Sequence, residues 1–337
     1  MNKGQSQFFA FKKEILELID SLSIKMDDPE MKDYFRKLVD YSTDGGKCHR
    51  GLLSVYGFLE LTGFDPDSQE AKPGYALGWA QEILQASFLV ADDLMDQSSM
   101  RRGKPCWYLV IPKKYASVSD SYFLENVIYI IIDHYFENYP VAVKYNIQKL
   151  LFEASYRTTF GQFIDMAKKE PTVENWKLTV TNKTAYYSIW QPFVSGLVAS
   201  QKVPESIWKS EDLKSILLYA GVLFQLQDDW IDLYGKTAKT GKIGTDIPDG
   251  KVSWLLAKAL ELANEEQKRD LLENVGHNDK TKIKKVVDIY DQLQIERVIL
   301  EEQDKMYNSL CEMFQKTEHL PKGLVSFLLT FLNRRYY

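Results

Sequence analysis

The chain has 337 residues, 45% hydrophobic and 26% charged, with a formal net charge of −5 at pH 7. This composition is globular, is long enough to bury a sizeable core, and lacks the basic signature of nucleic-acid binding. Three cysteines at no zinc or disulfide spacing, no signal-like start at Met1 to Ala10 and no apolar run of about 20 residues point to a cytoplasmic chain with no integral membrane segment.

Apolar residues recur at helical intervals from the start, at Phe9, Ile15, Leu16 and Ile19. A break at Gly45-Gly46 opens a further helix. A second break, Gly63 to Gly74, precedes helical spacing at Ile83, Leu84, Ser87, Phe88, Val90 and Ala91. Lys104-Pro105 and Pro112 interrupt again. The stretch Asn126 to Phe136 is apolar almost all round, which predicts a helix buried on most faces. Later breaks fall near Pro140, Pro171 and Pro204, across Gly235 to Gly250, and around Gly276 to Asp279. The spacing predicts roughly ten or more helices with short loops. Alternating β-branched runs are missing, so the expected fold is all-α. No Pro/Ser-rich linker divides the chain, so residues 1–337 read as a single domain.

Two of the helices end in the same acidic pattern: Asp92-Asp93-Leu94-Met95-Asp96 and Asp228-Asp229-Trp230-Ile231-Asp232. On a helix, the first and third aspartates of each cluster stand at i and i+4, about 6 Å apart along the axis and on one face. Two carboxylates about 4 Å apart repel by roughly 4 kcal/mol at a protein-like effective dielectric of about 20. A cation between them relieves this, and hard carboxylate oxygens suit magnesium shared with substrate phosphates. One such cluster alone is most simply a solvated acidic helix end. Recurrence, and the apolar runs that precede each cluster (Ser87 to Ala91, Gly221 to Gln227), favour a functional role.

Bases accompany the acids. Arg101-Arg102 follow the first cluster, and Lys47 and Arg50 lie where a glycine pair opens a helix, a position suited to phosphate. Lys242 and Lys251 follow the second cluster, and Lys183-Thr184 sit mid-chain among aromatics. Any one of these alone reads as a surface solubility residue. Arg101-Arg102 and Lys47/Arg50 are singled out by their coincidence with the acidic cluster and the glycine break.

Together, GGKCHRG (45–51), LQASFLVADDLMDQSSMRRGKPCWY (84–108), KTAYYS (183–188) and FQLQDDWIDLYGKTAKTGKIGTDIPDGKVSW (224–254) resemble the trans-isoprenyl diphosphate synthases. The likeness runs from about Gly45 to the C-terminus and is strongest to the eukaryotic farnesyl branch. It implies an isoprenoid-synthase helical bundle with a central active-site cavity, acting as a homodimer. It implies magnesium-dependent condensation of isopentenyl diphosphate with allylic diphosphates (dimethylallyl, geranyl, farnesyl), releasing diphosphate. In the implied site, Asp92, Asp96 and Asp228 ligate three magnesium ions, with Asp93, Asp229 and Asp232 behind them or as alternate ligands. Arg101, Lys183 and Lys242 hold the allylic diphosphate. Lys47, Arg50, Gln85 and Arg102 receive isopentenyl diphosphate. Thr184 and Gln225 line the reacting carbons, and Phe224 and Lys251 complete the site.

Three departures stand out. His49 replaces the family's usual asparagine. The tail Arg334-Arg335-Tyr336-Tyr337 is less basic than the family's. Positions four and five before Asp92, usually both aromatic in farnesyl synthases, are Phe88 and Ser87. Those side chains lie about 6–7.5 Å below Asp92, and the resemblance implies that they form the floor that stops the growing chain. Serine there implies products past fifteen carbons, unless Tyr129, Phe152 or Tyr156 refills the space. The competing readings are a terpene synthase on the same scaffold and a non-catalytic partner subunit. The four isopentenyl-site residues argue against the first, and the two intact acidic clusters against the second.

Overall fold

The structure is a computed structural model that describes residues 3–23, 29–167, 169–235, 244–317 and 319–333. Helices α1 (Lys3–Ala10), α2 (Lys12–Ser23), α3 (Pro29–Thr43) and α4 (His49–Thr62) come first. After a short 3-10 turn, α5 (Lys72–Met95) leads to a hairpin, β1 (Met100–Arg101) with β2 (Lys104–Pro105), and then to α6 (Trp107–Val110). Next come α7 (Ala116–Tyr135), α8 (Val141–Met166) and α9 (Val173–Val180), followed by a π-helical segment Thr181–Trp190. The rest is α10 (Gln191–Ser200), α11 (Glu205–Trp208), α12 (Glu211–Tyr234), α13 (Asp246–Asp249), α14 (Trp254–Leu262), α15 (Glu265–Asn274), α16 (Lys280–Gln292), α17 (Ile295–Gln315) and α18 (Lys322–Asn333).

The chain forms two compact units, each discontinuous in sequence. The first comprises Met1–Glu153, Gln191–Ser210 and His319–Phe327. Its core is α5 packed along α7, with α4 against α5 and α10. Leu52, Leu53 and Phe58 of α4, Ile83 of α5, and Ile128, Ile131 and Ile132 of α7 are fully or almost fully buried. α4 ends at Gly63, whose φ of 67° permits its N–H to donate to the Leu59 carbonyl, a left-handed C-cap. α5 resumes the helix at Lys72, before the end of the Gly63–Gly74 break. Pro73 is tolerated there because the first turn has no intrahelical partner for its missing N–H.

The second unit comprises Ala154–Trp190, Glu211–Glu318 and Leu328–Tyr337. α12 is its axis, packing on the π-helical segment and on α17. Leu217, Leu223 and Leu226 are fully buried on α12, and Ile295, Ile299 and Leu310 on α17. Trp254 opens α14 after Ser253, whose hydroxyl accepts the Leu256 N–H as an N-cap.

Among the described residues, the regular structure is helical apart from the two-residue strands of the hairpin, which the hydrophobic pattern does not reveal. Among the described residues, no helix is long and apolar enough to cross a membrane. Within Asn126 to Phe136, Val127, Ile128, Ile131, Ile132 and Phe136 are buried, whereas Ile130 is partly exposed.

Candidate active site

In the first unit, the acidic cluster occupies the last turn of α5. Asp92 and Asp96 are half-buried, and Asp93 is almost fully buried. The chain returns to Asp93 through the hairpin. Arg102 (φ 52°) and Gly103 (φ 76°) form its two-residue tip, the left-handed pair that a tight hairpin requires. This return places Arg101 on Asp93, with Nε 3.0 Å and Nη2 2.6 Å from Oδ1. Nη2 is also 3.6 Å from Asp92 Oδ2. Burial works against the Arg101 charge, but the Asp93 and Asp92 carboxylates more than offset it and hold the guanidinium above its ordinary pKa.

Arg102 points the other way. Its Nη1 donates to the Asp44 carbonyl at 3.2 Å, and its guanidinium lies against Gly46. A Cβ at Gly46 would sit 3.0 Å from the guanidinium carbon, so the glycine pair makes room for this arginine. Lys47 is exposed just before α4, while His49 and Arg50 are half-buried in its first turn. The Gln85 amide is satisfied when its oxygen accepts from Arg50 Nη1 at 2.8 Å and its nitrogen donates to Glu82 Oε2 at 3.2 Å. Arg50, Gln85 and Arg102 are thereby gathered at the junction of α4, α5 and the hairpin. Burial lowers the Arg102 pKa; the nearby Arg50 charge lowers it further, and Glu82 opposes both.

In the second unit, Lys183 and Thr184 lie on the π-helical segment, a conformation that recurs at functional sites because its wider turn redirects side chains. Lys183 Nζ is 2.6 Å from Asp165 Oδ2 of α8. Thr184 Oγ1 donates to Gln225 Oε1 at 3.0 Å. Gln225 Nε2 donates in turn to Asp229 Oδ1 at 2.9 Å and faces Asp228 Oδ2 at 3.4 Å. The other oxygen of Asp229 accepts the Trp176 indole N–H and the Trp254 backbone N–H, both at 2.8 Å. Asp232 accepts the N–H groups of Thr245 and Asp246, at 3.1 and 3.0 Å. Asp228 alone of the three is exposed. The Phe224 ring centroid is 5.6 Å from that of Phe331. The Lys251 charge bears on Asp246. Lys242, Arg334 and Arg335 lie outside the described residues.

The acids of this unit strain against one another. Burial pushes the Asp229 carboxyl up to about 7, against the pull of Gln225 and the Trp254 N–H, and the Asp228 charge raises it further. Burial, Asp232 and Asp229 together hold Asp246 well above the ordinary carboxylate range. Such crowding is relieved by a cation. Among the described residues, no three acid, imidazole or thiol groups converge as a complete metal cage. Magnesium fits this pattern, because it takes one or two carboxylates and leaves its remaining positions to water and phosphate. The division of labour is geometric: Asp93 and Asp229 are committed to protein donors, whereas Asp92, Asp96 and Asp228 are the more accessible members.

Ser87 is buried, and its hydroxyl donates to the Leu84 carbonyl of its own helix at 2.8 Å. Phe88 and Tyr129 are half-buried. Phe152 and Tyr156 are 63% and 61% exposed, which leaves neither as a buried filler beneath Ser87.

Sequence reasoning overlooked four residues. Glu82 and Asp165 are single acids among apolar neighbours, and their only sequence signal is that isolation. Trp176 reads as core, yet its indole N–H holds Asp229. Asp246 lies within a quoted motif without a role of its own.

The Polyprenyl synthetase family matches residues 32–293. The chain is 35% identical to farnesyl pyrophosphate synthase 1 of Parthenium argentatum over 95% of its own length and 94% of the relative's. It is 34% identical to farnesyl pyrophosphate synthase of Candida albicans over 99% and 97%. Among solved structures, T. brucei farnesyl diphosphate synthase complexed with homorisedronate superposes with a TM-score of 0.89 at 28% identity, covering 99% of each chain. With this fold and both acidic helices in place, the chain belongs to the polyprenyl synthetase family of helical prenyltransferases.

Proposed function

We propose that this chain condenses isopentenyl diphosphate with allylic diphosphates, lengthening a prenyl chain and releasing diphosphate. The observation that carries the reading is that each acidic helix end has functional polar groups set against it: Arg101 on Asp93 and beside Asp92, and the Thr184–Gln225–Asp229 chain, which starts one residue after Lys183, itself held by Asp165. The relatives named farnesyl pyrophosphate synthase support the same chemistry. We read residues 1–337 as a single synthase domain. Support comes from the one family match, which runs through segments of both discontinuous units.

In this reading Asp92, Asp96 and Asp228 hold up to three magnesium ions, with Asp93, Asp229 and Asp232 steadying the helix ends. Magnesium supplies charge neutralisation for a departing diphosphate. Arg101, Lys183 and Lys242 bind the allylic diphosphate, and Lys47, Arg50, Gln85 and Arg102 bind that of isopentenyl diphosphate. The allylic carbon–oxygen bond breaks and diphosphate leaves with the electron pair. The isopentenyl double bond then attacks the allylic cation, a new carbon–carbon bond forms, and a proton passes to the released diphosphate. Thr184 and Gln225, joined at 3.0 Å, orient the reacting carbons, while Phe224 and Lys251 close the site. Fixed donors and charges act here where charge develops, which is the efficient place for them.

A specific observation favours a second product length. Ser87 stands where a floor ring is expected, Phe152 and Tyr156 are exposed, and half-buried Tyr129 is the one candidate left to fill the space, so the reading extends to products of twenty carbons or more. The exposed rings have a separate use. Tyr145, Phe152, Tyr156, Phe160 and Phe163 lie at three-, four- and seven-residue intervals on one face of α8, an apolar stripe suited to a second copy of the chain. We also read the chain as cytoplasmic, a placement that the three free thiols Cys48, Cys106 and Cys311 fit.

Mass analysis of products from purified protein, magnesium, isopentenyl diphosphate and dimethylallyl diphosphate tests the function. Longer prenyl chains retaining diphosphate are expected. A cyclised or diphosphate-free product would show a terpene synthase instead, and an inert protein a partner subunit.

A further inference from the structure

Glu82 sits in α5 between Gln81 and Ile83 and is only 4% exposed. A buried carboxyl is costly unless its oxygens are paired, and burial pushes Glu82 above the ordinary range. Both oxygens have donors. Oε1 accepts the backbone N–H of Gly51 at 2.8 Å, and Oε2 accepts the Gln85 amide at 3.2 Å. The Arg50 and Arg102 charges also pull its pKa back down. Every partner donates, which suits a carboxylate rather than a neutral acid, since an ionised carboxyl only accepts.

These contacts join three parts of the isopentenyl site. Gly51 lies in the first turn of α4, where N–H groups lack intrahelical partners. A Cβ there would be 2.7 Å from the Gly78 carbonyl and 3.1 Å from Glu82 Cγ, so α4 rests directly on α5 at this point. Gln85, one turn after Glu82, carries the link to Arg50 Nη1 at 2.8 Å. Arg50 and Arg102 repel one another, and that repulsion contributes to the lowered pKa of Arg102.

We propose that Glu82 is a positioning residue for the isopentenyl diphosphate subsite. Its carboxylate fixes Arg50 through Gln85, ties down the first turn of α4, and supplies counter-charge that keeps Arg50 and Arg102 together before substrate arrives. It acts through those residues and does not touch the substrate. The inference rests on the function proposed above and assigns this acid to one of the two substrates.

Steady-state kinetics on Glu82→Gln test it, with each substrate varied in turn. Glutamine keeps the size and can still accept from Gly51, but removes the charge. KM for isopentenyl diphosphate is expected to rise about tenfold, the size of one charge-assisted hydrogen bond, while kcat and the allylic KM move less than about twofold. A core acid without this role would shift both KM values alike, or neither, and either result overturns the inference. If Glu82→Gln does not fold by circular dichroism, Glu82→Asp replaces it, drawing the charge back by one methylene. A selective rise in the isopentenyl KM then supports the inference, and an unselective or absent effect overturns it. Wild-type turnover separates the two readings. An inactive wild type sinks the proposed function and this inference with it, whereas an active wild type with an unselective variant sinks this inference alone.

Discussion

Arg101 closes on Asp93 rather than on Asp92: its Nη2 lies 2.6 Å from the first carboxylate and 3.6 Å from the second. Asp93 is therefore the anchor that aims the guanidinium past Asp92. Asp93→Ala should free Arg101 and leave it partly buried without its fork, lowering stability by about 2 kcal/mol. The KM for the allylic diphosphate should rise about tenfold or more, with the isopentenyl KM little changed. Denaturant unfolding and two-substrate kinetics check both parts, and an unaltered allylic KM would remove Asp93 from this role.

Asp165 holds Lys183 by a 2.6 Å ion pair in which both side chains are mostly buried. Asp165→Asn is expected to reduce kcat by about tenfold, because the ammonium loses the partner that fixes its direction on the π-helical segment. Lys183→Arg should not restore activity to Asp165→Asn, since the longer planar fork needs different geometry. Single-turnover rates on the three proteins test this.

Gly161 is where α8 meets the backbone of Lys183. A Cβ at this position would fall 2.1 Å from the Lys183 nitrogen and 2.5 Å from its Cα. Backbone cannot yield as a flexible side chain does. Gly161→Ala should destabilise by about 1–3 kcal/mol and also displace Lys183. The expected signature is a kcat loss that persists at temperatures where the variant is fully folded by circular dichroism.

The raised carboxyls of Asp229 and Asp246 make stability depend on pH with a defined sign. Between the ordinary value of 3.8 and about 7, folded Asp229 retains a proton that the unfolded chain has released. Folding binds more protons across that window, so its contribution is complete below the unfolded value and is lost as pH rises through the folded one. Asp246→Asn removes a repelling carboxyl. In chelator-treated protein its Tm should exceed wild type near pH 8 and the gap should shrink near pH 4.5. Magnesium with inorganic diphosphate should also raise the wild-type Tm near pH 8, which calorimetry would read directly.

Ser87→Phe should shorten any product longer than fifteen carbons, because a ring added on the Phe88 side of α5 rebuilds the floor about 7.5 Å below Asp92. The product distribution before and after the change, resolved by mass, is the measurement. A wild type that makes only fifteen-carbon product would show that the space beneath Ser87 is filled some other way.

Much of the architecture is legible in the sequence because helical periodicity and glycine or proline breaks are local. The apolar run before Asp92 and the break at Gly45-Gly46 report α5 and the start of α4 directly. The hairpin at Met100–Pro105 escapes such reading. Its strands are two residues long, and its tip uses Arg102 in a left-handed conformation that composition gives no reason to expect. The π-helical turn at Lys183 also escapes it: the segment packs closely against Gly161 and α12, and those neighbours are not marked by any periodic pattern along the chain.

The same division holds for the acidic helices. Sequence alone determined that two D-D-x-x-D clusters exist, that each presents carboxylates at i and i+4, and that arginines follow the first. Those facts depend on covalent order and helix geometry. Tertiary structure decided which aspartates are committed to protein donors. Arg101 takes Asp93, the Trp176 and Trp254 N–H groups take Asp229, and Asp92, Asp96 and Asp228 are left more accessible. It also brought forward Glu82 and Asp165, because a buried carboxylate is recognised by the donors packed around it, and those donors come from residues distant in the chain.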